Sequence, residues 1–331
     1  MLKNLHICIF CSNFAADLVS MNTFGDKWSF TSFGESHGVA IGGVLDGVPA
    51  GIAIDIDLIR QELDRRAGRN SNGVLSGLCR GCVGVSSRAL RETDEVEWLS
   101  GVMDGVTLGT PIAFIIRNKD ARPEDYEYLK HTFRVGHADK VYEQKYGIRD
   151  WRGGGRASAR ETAARVVAGC IAKQQLASKG VCIEAHLIQV GAENDPAKFA
   201  ETITRYQKEG DSIGGIIECR ITGLPVGTGE PIFDKLQAHL AFATMSINAC
   251  KGFEYGTGFG GVTEPGSAIN TISGGISGGI SDGTDIIFRC VFKPTPSTPK
   301  AGVKGRHDAC VAVRAVPVVE AMTALTLVQF L

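Results

Sequence analysis

The residues with the clearest chemical potential form a basic, glycine-rich stretch near the middle of the chain. Positions 152 to 162 read Arg-Gly-Gly-Gly-Arg-Ala-Ser-Ala-Arg-Glu-Thr. Consecutive glycines let the backbone approach a ligand closely, because no Cβ stands in the way. Arg152, Arg156 and Arg160 add guanidinium groups where the start of a helix ordinarily favours acidic residues. The stretch predicts an anion-binding site, the alternative being a basic loop that only faces solvent.

A long helix is expected to begin directly after this loop. Ser158 and Glu161 have the spacing of a capping box, in which the hydroxyl accepts from a first-turn N–H and the carboxylate reaches back to the N–H of the cap. The remaining first-turn N–H groups and the helix dipole favour a nearby anion by about 0.3–1 kcal/mol. Apolar residues at helical spacing continue to Leu176, and Gly180 ends the pattern. The anion site is therefore predicted at the N-terminus of a core helix.

Three candidate proton carriers, His37, His137 and Asp308, each lie within three residues of a glycine. Histidine has an unperturbed pKa near 6.5, so it can give and take protons near neutral pH. The cations in and around these motifs are Arg134, Arg156, Arg160, Lys293 and Arg306, with Arg66 and Arg69 as further candidates. They are too many for one phosphate. A substrate with several anionic groups, together with a phosphorylated cofactor, would account for them.

The run from Gly34 to Gly38, Gly-Glu-Ser-His-Gly, formally matches the nucleophile elbow of α/β-hydrolases. That elbow requires a strand, a sharp turn and then a helix, so that the serine stands above a parallel sheet. Here residues 39–45 are β-branched and glycine-rich, which favours a second strand. The hydrolase alternative predicts that an activated phosphonate acylates Ser36.

Composition indicates a globular protein that can bury one large core or two modest ones. The chain has 331 residues, is 44% hydrophobic and carries a net charge of −1. A role in nucleic-acid binding is disfavoured because there is no global positive field, and no apolar stretch is long enough to span a bilayer. We expect a cytoplasmic protein in which residues 1–20 are a disordered extension and residues 21–331 form a single domain, because motif-bearing loops occur along its whole length.

The ten cysteines include two C-x-x-C pairs, Cys8/Cys11 and Cys79/Cys82. Such pairs could form a four-thiolate zinc site or a thioredoxin-like redox centre. The first pair lies in the segment that we do not expect to fold, and the other cysteines are scattered singly in apolar segments, as in reduced cytoplasmic proteins. We predict no metal site.

Hydrophobic periodicity predicts strands and helices along the whole chain. The predicted strands are residues 28–33, 39–45, 107–117, 216–221 and 286–292, and the predicted helices are 57–66, 158–179, a helix opening at 195–196, 232–245 and one from about Pro317. Residues 70–87 read as a long loop. This mixture is typical of an α+β fold.

Several of these stretches together resemble the chorismate synthase family. The resemblance rests on Gly34–Gly38, Arg152–Thr162 and Gly305-Arg-His-Asp308, supported by Leu63-Asp-Arg-Arg66, Tyr146-Gly-Ile-Arg-Asp150, Ile247-Asn-Ala249 and Lys293-Pro-Thr-Pro-Ser297. The motifs follow the family's order from Met21 to the C-terminus. The resemblance implies an α+β sandwich of long helices between antiparallel sheets, assembled as a homotetramer.

The resemblance also implies a reaction, the anti 1,4-elimination of phosphate from 5-enolpyruvylshikimate 3-phosphate to give chorismate, with reduced FMN and no net redox change. The phosphate and two carboxylates of this substrate match the surplus of arginines. By similarity, His37 would protonate or hydrogen-bond the flavin, His137 would assist the leaving phosphate, and Asp308 would help to relay the C6 proton. Whether NADPH or an external reductant reduces the flavin stays open.

The binding residues implied by the resemblance fall into two groups. Those for FMN are Arg156, Ala157, Ser158, Asn248, Ala249, Gly278, Lys293, Pro294, Thr295, Pro296, Ser297 and Arg306. Those for the substrate are Arg66, Arg69, Arg134 and Arg160. The chain departs from the family where Val135 replaces a proline, where a Thr-Pro-Arg-Lys run before Glu95 is missing, and where the link from Ser297 to Arg306 is short. The alternative is a homologue that binds FMN or phosphate without catalysis.

Overall fold

The computed structural model describes residues 22–69, 85, 87–269, 273–303 and 307–331. Four features singled out in the sequence lie outside these residues. They are residues 1–20, the Cys8/Cys11 pair, the Cys79/Cys82 pair and Arg306.

Strands and helices alternate irregularly along the described chain. The strands are β1 (Thr23–Phe24), β2 (Ser29–Phe33), β3 (Ala40–Asp46), β4 (Val96–Ser100), β5 (Val102–Met103), β6 (Val106–Thr107), β7 (Ile112–Arg117), β8 (Cys182–Val190), β9 (Gly215–Thr222), β10 (Cys250–Tyr255), β11 (Ile276–Ser277), β12 (Ile280–Ser281) and β13 (Ile286–Phe292). The α-helices are α1 (Ile56–Ala67), α2 (Ser87–Arg91), α3 (Asp139–Tyr146), α4 (Thr162–Ala177), α5 (Phe199–Lys208), α6 (Leu236–Met245), α7 (Gly266–Ile269) and α8 (Ala312–Leu327).

Two antiparallel sheets form the outer layers. The first has five strands in the order β1-β2-β3-β7-β4, and the second has four in the order β10-β13-β9-β8. Side chains alternate across each strand, so one face can be wholly apolar. In β7 the buried face carries Ile112, Phe114 and Ile116, and in β13 it carries Phe288 and Phe292 among others.

Long helices fill the space between the sheets. Helix α4 packs on β2 and β3 of the first sheet, α8 packs on β8 and β9 of the second, and the two helices pack on each other. Their close approach depends on Gly169, because a Cβ there would lie only 2.3 Å from the Cβ of Ala321. Helices α1 and α6 complete the layer. The predicted α+β sandwich of helices between antiparallel sheets is confirmed.

Three predicted element boundaries were wrong. The strand expected over 107–117 begins at Ile112, because a turn around Gly109 separates it from the short β6. The helix expected from Ile232 begins at Leu236, since Ile232 adopts a left-handed φ of 73°. Helix α8 starts at Ala312, five residues before Pro317, because the residues of that extra turn are buried in the core. That burial offsets the backbone hydrogen bond that proline cannot make.

Within the described chain, no helix is both long enough and apolar enough to cross a bilayer.

Candidate active site

A cavity of about 400 Å³ lies where loops from both sheets meet the start of α4. Most of the predicted site residues converge on it. The predicted residues that line it are His37, Arg134, His137, Ala157, Ser158, Arg160, Asn248, Ala249, Lys293, Thr295, Pro296, Ser297 and Asp308. Because these residues come from widely separated parts of the sequence, only the folded chain brings them together.

The triple-glycine loop is the wall between the two catalytic histidine candidates. Gly153, Gly154 and Gly155 all have left-handed φ angles, of 64°, 90° and 52°. A Cβ at Gly153 would lie 2.0 Å from the ring of His37, and one at Gly154 would lie 2.8 Å from the ring of His137. All three glycines are therefore needed for their backbone conformation, Gly153 and Gly154 also for the space that they leave to the imidazoles, and Gly155 for the space that it leaves to the Glu35 carboxylate, 2.5 Å from its would-be Cβ.

The predicted capping box is only half formed. Ser158 Oγ accepts a hydrogen bond from the N–H of Arg160 at 3.3 Å, as expected of a cap. The carboxylate of Glu161 instead pairs with Arg165, and the Ser158 N–H donates to the carbonyl of Gly155. A 3-10 turn over 159–161 therefore precedes α4, which begins at Thr162.

Replacing Gly153 by alanine should damage the site more than the fold. The new Cβ would overlap the buried His37 ring, so we expect kcat/KM to fall by roughly 10²-fold, the usual cost of displacing a catalytic group by about 1 Å. Gly180→Ala is the matched control, because Gly180 also has a positive φ but has open space around its Cα. Steady-state kinetics and urea unfolding of both variants provide the measurement. Equal loss of activity in the two variants would contradict the role given to the clash.

His37 is held in a buried pocket beside the cavity, with 5% of its surface exposed. Its Nδ1 lies 3.1 Å from Ser36 Oγ, its Nε2 lies 3.3 Å from Arg88 Nη1, and Tyr126 packs edge-on against the ring. Ser36 Oγ also donates to the carbonyl of Gly153. The turn joins β2 directly to β3, so the helix that a nucleophile elbow requires is missing and the hydrolase alternative loses its structural basis.

His137 is part of an ionic cluster with Arg134 and Asp139. Its Nδ1 lies 2.8 Å from Asp139 Oδ1, and Arg134 makes two hydrogen bonds of 2.8 Å to the same carboxylate. Burial raises the pKa of Asp139, but hydrogen bonds from Arg134 and His137 outweigh it and hold this pKa well below its usual range. With Nδ1 engaged, Nε2 is the ring nitrogen left for a ligand.

Three buried polar atoms on residues that line the cavity have no hydrogen-bond partner among the described residues. They are Asn248 Oδ1, Ser297 Oγ and His307 Nε2. The neighbouring Ala249 has a left-handed φ of 69°, which is rare for a residue with a side chain. Buried polar groups in folded proteins nearly always have partners. These atoms therefore indicate a ligand with complementary hydrogen-bonding groups.

Asp308 also lines the cavity, next to a cation that the sequence analysis missed. Arg314, from the first turn of α8, donates from Nη1 to Asp308 Oδ2 at 2.9 Å and from Nε to the carbonyl of Arg66. The aspartate is thus fixed in place from the helix. His307 next to it is half-buried, and burial is the main reason why its pKa is lowered.

Two predicted substrate residues do not reach the cavity. Arg66 is only 1% exposed and donates to Thr162 Oγ1 at 2.9 Å and to the carbonyl of Ala159 at 2.6 Å. Arg69 is engaged with Asp64 and with the carbonyl of Ala89, both at 2.9 Å. Both guanidinium groups hold loops together beneath the site, and contact of either one with substrate stays a prediction.

The other predicted residues divide between the cavity and its surroundings. Arg160 lines the cavity, but its guanidinium already contacts Asp94 and Asn118. Arg156 does not line this cavity. Its guanidinium donates to Ser32, and the residue lines a second cavity of about 500 Å³. Two further residues lie away from both cavities.

Gly278 lies at an exposed turn between β11 and β12 and lines neither of the two cavities. Pro294 also lines neither cavity.

Sequence reasoning missed several residues that line or support the cavity. The missed residues are Arg88, Glu92, Asn118, Tyr126, Asp139, His307 and Arg314. Asp139 could have been found, because an acid two residues after His137 on the same turn is a usual partner for an imidazole. His307 could also have been found, because it lies inside the Gly305–Asp308 motif. The others lie in segments without a motif, and only the tertiary fold brings them to the site.

The fold and the cavity together define an α+β enzyme that acts on a small anionic molecule. A family model described as chorismate synthase matches residues 28–331. The chorismate synthase of Phocaeicola vulgatus is 45% identical, over 93% of this chain and 97% of its own length, and that of Christiangramia forsetii is 44% identical with the same coverage.

A crystal structure of a chorismate synthase superposes with a TM-score of 0.71 at 28% identity, covering 93% of this chain and 92% of that one. The chain therefore belongs to the chorismate synthase family. The prediction of a lyase of this family is confirmed.

Proposed function

We propose that this chain converts 5-enolpyruvylshikimate 3-phosphate to chorismate by anti 1,4-elimination of phosphate, with reduced FMN as its cofactor. The observation that carries the proposal is the convergence of His37, His137 and Asp308 on one cavity that also holds unpaired polar atoms. The substrate offers a phosphate and two carboxylates. Arg134, Arg160 and Lys293 line the same cavity and supply positive charge for them.

The unpaired atoms fit a flavin. Leaving a buried donor or acceptor unpaired costs about 1–3 kcal/mol, so Asn248 Oδ1, Ser297 Oγ and His307 Nε2 favour a ligand rich in N–H and C=O groups. The residues that would hold FMN are Ala157, Ser158, Asn248, Ala249, Lys293, Thr295, Pro296 and Ser297. Roles for Arg156, Gly278, Pro294 and Arg306 rest on the resemblance alone. Bound reduced FMN supplies transient electron density to the C–O bond that breaks.

The side chains of the protein then have separate tasks. His137 donates a hydrogen bond or a proton from Nε2 to the departing phosphate, because its Nδ1 is already paired. His37 hydrogen-bonds the cofactor from a position fixed by Ser36 and Arg88. Asp308, held by Arg314, helps to relay the proton lost from C6. Each group is fixed by a neighbour, which is what efficient proton transfer requires.

We further infer a cytoplasmic homotetramer, with NADPH as one source of the reducing equivalents. Large apolar side chains are exposed around α6, among them Phe233, Phe242 and Met245. Exposed apolar clusters of this kind are typical of surfaces that contact other subunits. Light scattering coupled to gel filtration would give the mass directly, and a monomer would contradict the homotetramer.

The decisive experiment is an anaerobic assay. Purified protein, chemically reduced FMN and 5-enolpyruvylshikimate 3-phosphate are mixed, and chorismate absorbance and phosphate release are followed together. We expect one phosphate for each chorismate, and no product with oxidised FMN. Absence of product with reduced FMN would contradict the proposal, and FMN binding without turnover would favour the non-catalytic alternative.

A further inference from the structure

We propose that Asp139 is a positioning residue for His137, fixing which ring nitrogen carries a hydrogen and supplying a counter-ion when the ring is cationic. The proposal rests on the proposed role of His137 in the reaction. It concerns a residue that lies outside the motifs' assigned positions and that touches neither substrate nor cofactor by itself.

Both oxygens of the Asp139 carboxylate are in contact with residues of the turn that precedes it. Its side chain is 3% exposed. Oδ1 accepts from Arg134 Nη2 at 2.8 Å and lies 2.8 Å from His137 Nδ1, and Oδ2 accepts from Arg134 Nε at 2.8 Å and from the Arg134 N–H at 3.2 Å. Four contacts to two residues leave the carboxylate little freedom to move.

These contacts determine which ring nitrogen of His137 carries a hydrogen. A carboxylate only accepts hydrogen bonds, so the 2.8 Å contact requires a hydrogen on His137 Nδ1. Arg134 Nη2 also lies 3.2 Å from that nitrogen, but it already donates to Asp139 Oδ1 at the shorter distance of 2.8 Å. In the neutral ring Nε2 is then the unprotonated nitrogen, and a proton taken up there makes an imidazolium whose charge faces Asp139. Because Arg134 also binds the carboxylate, Asp139 stays ionised and does not compete for that proton.

The position of Asp139 in the fold suits this task. It is the first residue of α3, so its backbone belongs to a regular element, whereas Arg134 and His137 lie on the preceding turn. That turn packs against the cavity wall, since a Cβ at Gly136 would lie 2.9 Å from Pro296. The carboxylate therefore ties the turn that carries His137 to the first residue of helix α3.

The test combines Asp139→Asn with His137→Ala. Asn keeps the size of the side chain but removes the charge, and we expect kcat to fall by roughly 10–100-fold, the range seen when a carboxylate that orients a functional histidine is lost. FMN affinity should change far less than kcat, because Asp139 does not line the cavity where the proposed cofactor residues converge. In the His137→Ala background, the same substitution should have almost no further effect. A full additional loss there would overturn the proposal, because Asp139 would then act independently of His137.

Asp104→Asn is the matched control. Asp104 is exposed and has a left-handed φ of 49°, a conformation that asparagine accepts equally well. Its kcat, KM and unfolding midpoint should equal those of the wild type. A lower unfolding midpoint in Asp139→Asn is expected, because Arg134 loses its buried counter-ion. If FMN affinity falls in parallel with kcat, the residue is structural and the proposal fails.

A second measurement does not depend on turnover. Nitrogen-15 NMR of histidine-labelled wild-type protein, with the resonance assigned by its loss in His137→Ala, reports which ring nitrogen is protonated. We expect Nδ1 to carry the hydrogen in the wild type. An unprotonated Nδ1 would overturn the proposal even if Asp139→Asn does not fold, whereas a protonated Nδ1 in a protein that makes no chorismate would leave it standing and reject the proposed function alone.

Discussion

Replacing His137 by alanine is expected to lower kcat by about 10²–10⁴-fold, the usual contribution of a positioned acid or base. FMN affinity should change by less than about twofold, since the residues proposed to hold the cofactor lie on the loops around Asn248 and Ser297. The physical reason is that His137 presents Nε2 to the cavity while Asp139 occupies its Nδ1. Anaerobic steady-state kinetics and a flavin fluorescence titration measure the two quantities separately.

His186→Ala is the control for this prediction. His186 lies on β8 with its side chain exposed, and it lines neither cavity of the described chain. Its removal should leave kcat and FMN affinity unchanged. A parallel loss of turnover and FMN affinity in His137→Ala would contradict the prediction, because it would show that the ring supports the binding site and takes no part in the elimination.

The features that could be predicted from the sequence are those set by local chemistry. Three consecutive glycines before Arg156 predicted a backbone that other groups can approach closely, with a ligand as the expected neighbour. In the structure the imidazoles of His37 and His137 take the space beside Gly153 and Gly154. The apolar spacing from Ala163 to Leu176 predicted a core helix, which is α4. In both cases residues close together in the sequence determine the conformation, so a short stretch of sequence is enough to predict it.

The features that could not be predicted depend on partners distant in sequence. Arg66 and Arg69 have the residue type of substrate ligands, but a guanidinium binds whichever carbonyl or carboxylate the fold brings near it. For Arg66 those partners are Thr162 and Asp94, which are more than twenty residues away. The start of α8 before Pro317 was missed for a similar reason, because burial between the helices and the second sheet decides it.

The sequence also could not show that one carboxylate joins three helices and a sheet. Glu320 of α8 has only 3% of its side chain exposed. It accepts hydrogen bonds from Arg65 of α1 at 3.0 Å, from Lys173 of α4 at 2.5 Å and from the N–H of Ala185 in β8 at 3.0 Å. Removing its charge leaves Arg65 and Lys173 to share Glu62 as their remaining buried carboxylate.

Glu320→Gln is therefore expected to lower the free energy of unfolding by about 3–5 kcal/mol, the usual cost of removing one partner from a buried ion pair. Urea unfolding at fixed protein concentration measures it, with Glu184→Gln as the control because Glu184 is exposed on β8. A change below about 1 kcal/mol, typical of exposed ion pairs, would contradict the prediction.

The difference in unfolding free energy between wild type and Glu320→Gln should depend on pH if it is electrostatic in origin. Burial raises the pKa of Glu320, but Lys173 and Arg65 outweigh it, so the folded-state pKa is lowered. A carboxylate with a lowered folded-state pKa stabilises the protein fully above its unfolded pKa of about 4.3 and loses that contribution as pH falls through the folded value. The difference in unfolding free energy between wild type and Glu320→Gln should therefore be constant above a pH of about 5 and become smaller as the solution becomes more acidic. A gap that stays constant on acidification would mean that packing, and not charge, makes Glu320 important.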